Sequence, residues 1–250
     1  MKKVIFILAI GTLFFIVACE KANMNSGAIS TNPSGKAGSL ARFAIVGNYL
    51  YAIDQSDLSI FDITNPSTLI FKKKLNVGES IETIFPFRDK LFIASNSGMY
   101  MYNITDPLLP VKESFVQHIT GCDPVVANAT HAYLTIRSGR LCGSNNLNVL
   151  EVYKLGTNIA TPTFVTRINM QNPVGLGLHG NYLFVADKMQ GLVVFDITNG
   201  DSPLQKQVIQ GETFIDVIVN NNILICMLTD GIAYYDISDM QNITKLSTLK

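Results

Sequence analysis

Tryptophan is absent from this 250-residue chain, histidine occurs only three times and cysteine only four times. His118, His131 and His179, and Cys19, Cys122, Cys142 and Cys226, lie far apart. No CxxC, HxxxH or HExxH pair seeds a metal site, so neither a metal nor another cofactor is expected. A GxSxG elbow is missing too, which leaves nucleophilic hydrolysis without a signature. An excess of one charge is also lacking, since 19 Lys and Arg balance 19 Asp and Glu. Nucleic acid is therefore not an expected partner, because the basic field that displaces counterions from phosphates is not there. What is abundant is apolar residue, 48% against 15% charged, enough for a substantial single-domain core.

Met1-Lys2-Lys3 is a positive head, and Val4 to Val17 carries no charge. Fourteen residues are too few to span a bilayer as a helix, so residues 1–18 read as a signal peptide. The stretch ends in Ile16-Val17-Ala18-Cys19, which resembles a bacterial lipobox. The resemblance implies lipidation of Cys19, with the mature protein held at the outer membrane of a bacterial cell envelope, on its periplasmic or cell-surface side. Removal of residues 1–18 leaves 17 basic against 19 acidic residues. Residues 19–38 are small and polar without an apolar period and read as a flexible tether.

Residues 39–250 repeat. Leu58-Ser-Ile-Phe-Asp62-Ile-Thr-Asn-Pro66 recurs as Met99-Tyr-Met-Tyr-Asn103-Ile-Thr-Asp-Pro107, Leu192-Val-Val-Phe-Asp196-Ile-Thr198 and Ile232-Ala-Tyr-Tyr-Asp236-Ile-Ser238, with a weaker copy at Leu150-Glu-Val-Tyr-Lys154-Leu155. The anchors at 62, 103, 154, 196 and 236 are 41, 51, 42 and 40 apart, a propeller-blade period. Around each anchor stand four short runs of β-branched and aromatic residues, separated by turn formers such as Gly47-Asn48 and Gly180-Asn181. The chain thus reads as all-β, a β-propeller of five four-stranded blades near 40–79, 80–120, 121–172, 173–212 and 213–250. An open stack of sheets completed by another copy is the alternative. Leu192-Val193-Val194-Phe195-Asp196 resembles the LVIVD repeat of bacterial β-propellers at four of five positions, and Asn103 and Lys154 depart from its terminal Asp. The resemblance supports the fold, implies a secreted or lipoprotein-type chain and says little about activity.

The recurring Asp-Ile-Thr-Asn-Pro looks acidic and site-like, but such side chains before Pro habitually cap turns. Cys122 and Cys142 both fall in the long third unit, one at its start and one inside its insertion, and in an oxidising envelope a bridge between them closes a loop of about 20 residues and contributes on the order of 3 kcal/mol. Cys226, in an apolar run, reads as a buried small hydrophobe, and the histidines read as surface or turn residues. If the first strand of each unit is innermost, Arg42, Glu82, Asp123, Gly175 and Asp216 line one channel mouth. Convergent carboxylates there fit a cation, a sugar or the acid–base pair of a glycosidase. The third unit alone breaks the period, and its insertion, with Arg137, Arg140, Asn145 and Asn146, is the expected partner loop. Taken together these features point to a non-catalytic binding module for a protein or polysaccharide partner. The alternative is a carbohydrate-active hydrolase or lyase using the mouth carboxylates.

Overall fold

The computed structural model describes residues 38–117, 124–138, 147–157, 159 and 161–250. Twenty strands form five sheets, each an antiparallel four-stranded meander. Blade 1 holds β1 (Phe43–Val46), β2 (Tyr49–Ile53), β3 (Asp57–Asp62) and β4 (Ile70–Asn76). Blade 2 holds β5 (Ile81–Phe87), β6 (Lys90–Ser95), β7 (Gly98–Asn103) and β8 (Val111–Gln117). Blade 3 holds β9 (Val125–Ala127), β10 (His131–Ile136), β11 (Val149–Lys154) and β12 (Thr163–Asn169). Blade 4 holds β13 (Pro173–His179), β14 (Tyr182–Asp187), β15 (Gly191–Asp196) and β16 (Leu204–Ile209). Blade 5 holds β17 (Phe214–Asn220), β18 (Ile223–Leu228), β19 (Ile232–Asp236) and β20 (Thr244–Leu249). The protein is a five-bladed β-propeller.

Local chemistry explains the meander. The hairpin joining the first two strands needs a positive φ, which Gly47 and Gly180 supply in blades 1 and 4 at 57° and 54°. Arg88 and Asn221 adopt the same conformation in blades 2 and 5. In every blade the third and fourth strands slip register just before the anchor residue, at Ile60/Phe61, Met101/Tyr102, Val152/Tyr153, Val194/Phe195 and Tyr234/Tyr235. This bulge twists the outer strand away and frees the anchor to start the next turn.

Stacking of the blades buries the core in four clusters, one at each junction from blade 1–2 to blade 4–5. At the first, Tyr51, Leu58 and Ile60 meet Ile84, Leu91 and Ile93. At the last, Phe184, Leu192 and Val194 meet Phe214, Leu224 and Tyr235. Among the described residues no such cluster joins blade 5 to blade 1. Those two blades meet instead at the axis, through the residues just before β1.

Candidate functional site

The innermost strands begin at one end of the molecule, and a cavity of about 800 Å³ opens there between blades 1 and 2. Leu40 and Arg42 enter it from the start of β1, Gln55 and Ser56 from the β2–β3 turn, and Glu79 to Thr83 from the link into β5. The structure therefore brings Arg42 and Glu82, two of the residues expected at a channel mouth, to one cavity. Two features of its wall are unusual. Ser80 is held at a φ of 53°, a left-handed conformation that a residue with a Cβ seldom adopts. The hydroxyl of Thr83, a residue only 4% exposed, is buried with no hydrogen-bond partner, whereas buried polar groups are nearly always paired.

Asp216 is not part of that cavity. It is buried, and it accepts hydrogen bonds from the Ser39 hydroxyl at 3.0 Å, the Leu40 N–H at 3.2 Å and the Val217 N–H at 2.9 Å. Burial dominates these bonds and pushes its carboxyl up to about 6. Ser39 in turn accepts from the Leu176 N–H of blade 4 at 2.6 Å, and the Ala41 carbonyl accepts from the Ile84 N–H of blade 2 at 2.9 Å. Residues 39–41 thus form an axial clasp over three blades. Gly175 is needed beside it, because a Cβ at that position would overlap the Asp216 carboxylate and backbone.

The repeated anchors are turn caps. Asp62, Asn103, Asp196 and Asp236 each accept from the backbone N–H two residues on, at 2.8 to 2.9 Å. The bonds to Thr64 hold the Asp62 carboxyl down at about 2. In blade 3 the replacing Lys154 donates instead to Asp201 of blade 4 at 2.8 Å. His131, expected at the surface, is buried: its Nε2 lies 2.8 Å from Asp201 Oδ1 and its Nδ1 2.8 Å from Thr130 Oγ1. His131, Asp201 and Lys154 therefore latch blade 3 to blade 4, and Gly200 leaves the room that the imidazole fills. The half-buried His179 ends β13.

Cys226 is fully buried, and burial pushes its thiol up to about 12. Tyr102 and Tyr235 lie in the junction cores and Tyr100 packs against one, while Tyr234 is half-exposed on the far side of blade 5. Arg137 is buried at the end of β10. Cys19, Cys122, Cys142, Asp123, His118, Arg140, Asn145 and Asn146 lie outside the described residues. Among the described residues no three His, Cys, Asp or Glu side chains are placed to share a metal ion, and no helix is long and apolar enough to cross a membrane.

Antiparallel meanders repeated about an axis, four of the five with a capped anchor turn after the third strand, define the class of repeat β-propellers. Within that class the chain carries LVIVD repeats, matched at residues 34–77 and 175–208. Among curated proteins no relative matches the sequence. Solved structures do. A protein from Lactobacillus plantarum superposes with a TM-score of 0.66 at 15% identity, covering 80% of this chain and 67% of that one. A protein of unknown function from Desulfotomaculum acetoxidans gives 0.62 at 12%, covering 81% and 66%. The periplasmic gluconolactonase of Pseudomonas aeruginosa gives 0.60 at 14%, covering 82% and 67%. The chain thus spans about two thirds of the length of each, and at these identities the likeness concerns the fold alone.

Proposed function

We propose that the protein is a non-catalytic binding module of the bacterial cell envelope, tethered through a lipid on Cys19, with the cavity between blades 1 and 2 as its recognition site for a protein or polysaccharide partner. The observation that carries this reading is the cavity itself, which gathers Arg42, Gln55, Glu79 and Glu82 in one recess between two sheets. The insertion after Arg137 is a second contact surface in this reading. Asp216, the third acid expected at the mouth beside Glu82 and Asp123, is engaged instead in the clasp, where it accepts from Ser39, Leu40 and Val217.

Capture from native envelope by the immobilised protein tests the reading. Arg42→Ala should weaken capture of the partner, whereas Thr83→Val, which removes the orphaned buried group, should raise the unfolding free energy by about 1 kcal/mol and leave capture unchanged. Asp216→Asn should leave capture unchanged. Glycan turnover that disappears in Glu82→Gln would replace the binding module with the enzyme. Cys19→Ser should move the protein from the detergent phase to the soluble envelope fraction.

A further inference from the structure

A second cavity, of about 390 Å³, opens at the other end of the junction between blades 1 and 2, beside the β1–β2 and β5–β6 hairpins. Val46 and Tyr49 line it from blade 1, Ile104 and Pro107 from the turn after β7, and Arg88 and Asp89 border it from the β5–β6 hairpin. Val46 and Ile104 are buried and Tyr49 is half-buried. The recess is apolar inside and charged at its edge, and its size is typical of a small-ligand site.

Elsewhere the repeat fills this place. Two positions decide it: the second-strand residue that pairs with one blade's anchor, and the residue four after the anchor of the next blade. Between blades 3 and 4 these are His131, paired with Lys154, and Gly200. The His131 imidazole occupies the room that a side chain at 200 would take. Between blades 4 and 5 they are Tyr182, paired with Asp196, and Met240, and both pack against the junction core. Between blades 1 and 2 they are Tyr49, paired with Asp62, and Pro107. Both line the cavity. Proline reaches less far than methionine, and the Pro107 carbonyl accepts from the Tyr51 hydroxyl at 3.1 Å, which pins the turn and leaves the gap open.

The charges at its edge are unequal. Asp89 is engaged, accepting from the Lys90 ammonium at 3.1 Å and the Thr105 hydroxyl at 3.3 Å. Arg88 is exposed, with its guanidinium 5.1 Å from the Phe87 ring, and among the described residues it has no ion-pair partner. It also stands at a φ of 54°, where blades 1 and 4 carry Gly47 and Gly180 and a side chain is disfavoured. We propose that this cavity binds a small aromatic carboxylate, its ring between Tyr49 and Pro107 and its carboxylate on the Arg88 guanidinium. One planar ring fills the same place between blades 3 and 4, and Tyr49 offers an aromatic wall. The uncommitted charge is positive, and a guanidinium takes a carboxylate through two parallel hydrogen bonds.

Isothermal titration calorimetry of the full chain in detergent with phenylacetate, against a protein-free blank, tests this. Saturable binding is expected. Phenylacetamide, which lacks the charge, and acetate, which lacks the ring, should each bind at least about tenfold more weakly. Arg88→Gly should cost at least about tenfold in affinity, and because it installs the residue that blades 1 and 4 carry, the melting midpoint should not fall. Pro107→Met, which gives blade 2 the blade-5 residue, should fill the recess and weaken binding to a similar extent. If that variant fails to melt cooperatively, Arg88→Gly decides. No saturable binding of phenylacetate, equal affinity for the acid and its amide, or binding that Arg88→Gly leaves intact overturns the proposal.

Discussion

Blades 2, 3 and 4 differ from blades 1 and 5 in how their middle strands are buried. In β6, β10 and β14 nearly every residue is buried, on both faces of the sheet. In β3, β18 and β19 buried and half-exposed residues alternate. The sequences are alike in kind, since Ile223-Leu-Ile-Cys-Met-Leu228 of blade 5 is as apolar as Tyr182-Leu-Phe-Val-Ala-Asp187 of blade 4. Burial on both faces therefore comes from having a neighbour on each side, as expected where a repeat's stability is divided between its own fold and its interfaces.

Single substitutions sharpen the contrast. Phe184→Ala, fully buried at the junction of blades 4 and 5, should cost about 3–5 kcal/mol in urea unfolding. Ile225→Ala, at a half-exposed position of β18, should cost less than about 1 kcal/mol. Equal losses would show that the half-exposed side of blade 5 is packed as tightly as the junctions.

The clasp gives a pH signature. Asp216 holds its proton up to about pH 6 in the folded chain, against 3.8 in an ordinary carboxyl. Between those values the folded state binds more protons than the unfolded state. Its contribution is therefore greatest below the window and falls as pH rises through it, by about 3 kcal/mol at most. Asp216→Asn should remove this slope from unfolding free energies measured across pH 4 to 7. The capped turns carry the opposite sign. The lowered carboxyls of Asp62, Asp196 and Asp236 stabilise above the usual carboxylate range, and that stability is lost as pH falls.

Glycines separate packing from backbone strain. Gly175→Ala places a methyl against the Asp216 and Ile215 backbone and should cost about 1–3 kcal/mol. Gly47→Ala meets open space and should cost only about 1 kcal/mol, for its left-handed φ. Asp236→Ala, which removes one exposed turn cap, should lower the melting midpoint by about 1–3 °C.

Much of the fold was legible because four of the five blades announce themselves twice, once in a β-rich run and once in the capped anchor. The twenty strands fall within the five spans read from the repeat period. The site was legible only in part. Arg42 and Glu82 were placed at the mouth by counting from the start of each first strand, but the same count put Asp216 beside them. In the matching register slips, Ile81/Thr83 and Phe214/Asp216, Ile215 takes the place of Glu82 and Asp216 that of the buried Thr83, so a count one residue off puts a buried carboxyl at the mouth. His131 and Asp201 are 70 positions apart, and the pairing follows from how blade 3 meets blade 4, which no local pattern encodes. The lighter burial of blades 1 and 5 was hidden for the same reason, since end blades and middle blades share one consensus.

The clasp also decides how the molecule bears mechanical load. A pull on the chain upstream of Gly38 does not begin by peeling β1 from its hairpin. It reaches first the bonds from Ser39 to Asp216 and Leu176, which must break together, and then the Ala41–Ile84 bond into blade 2. Force is thereby shared in shear among three blades near the axis, and blade 1 is shielded from unzipping strand by strand.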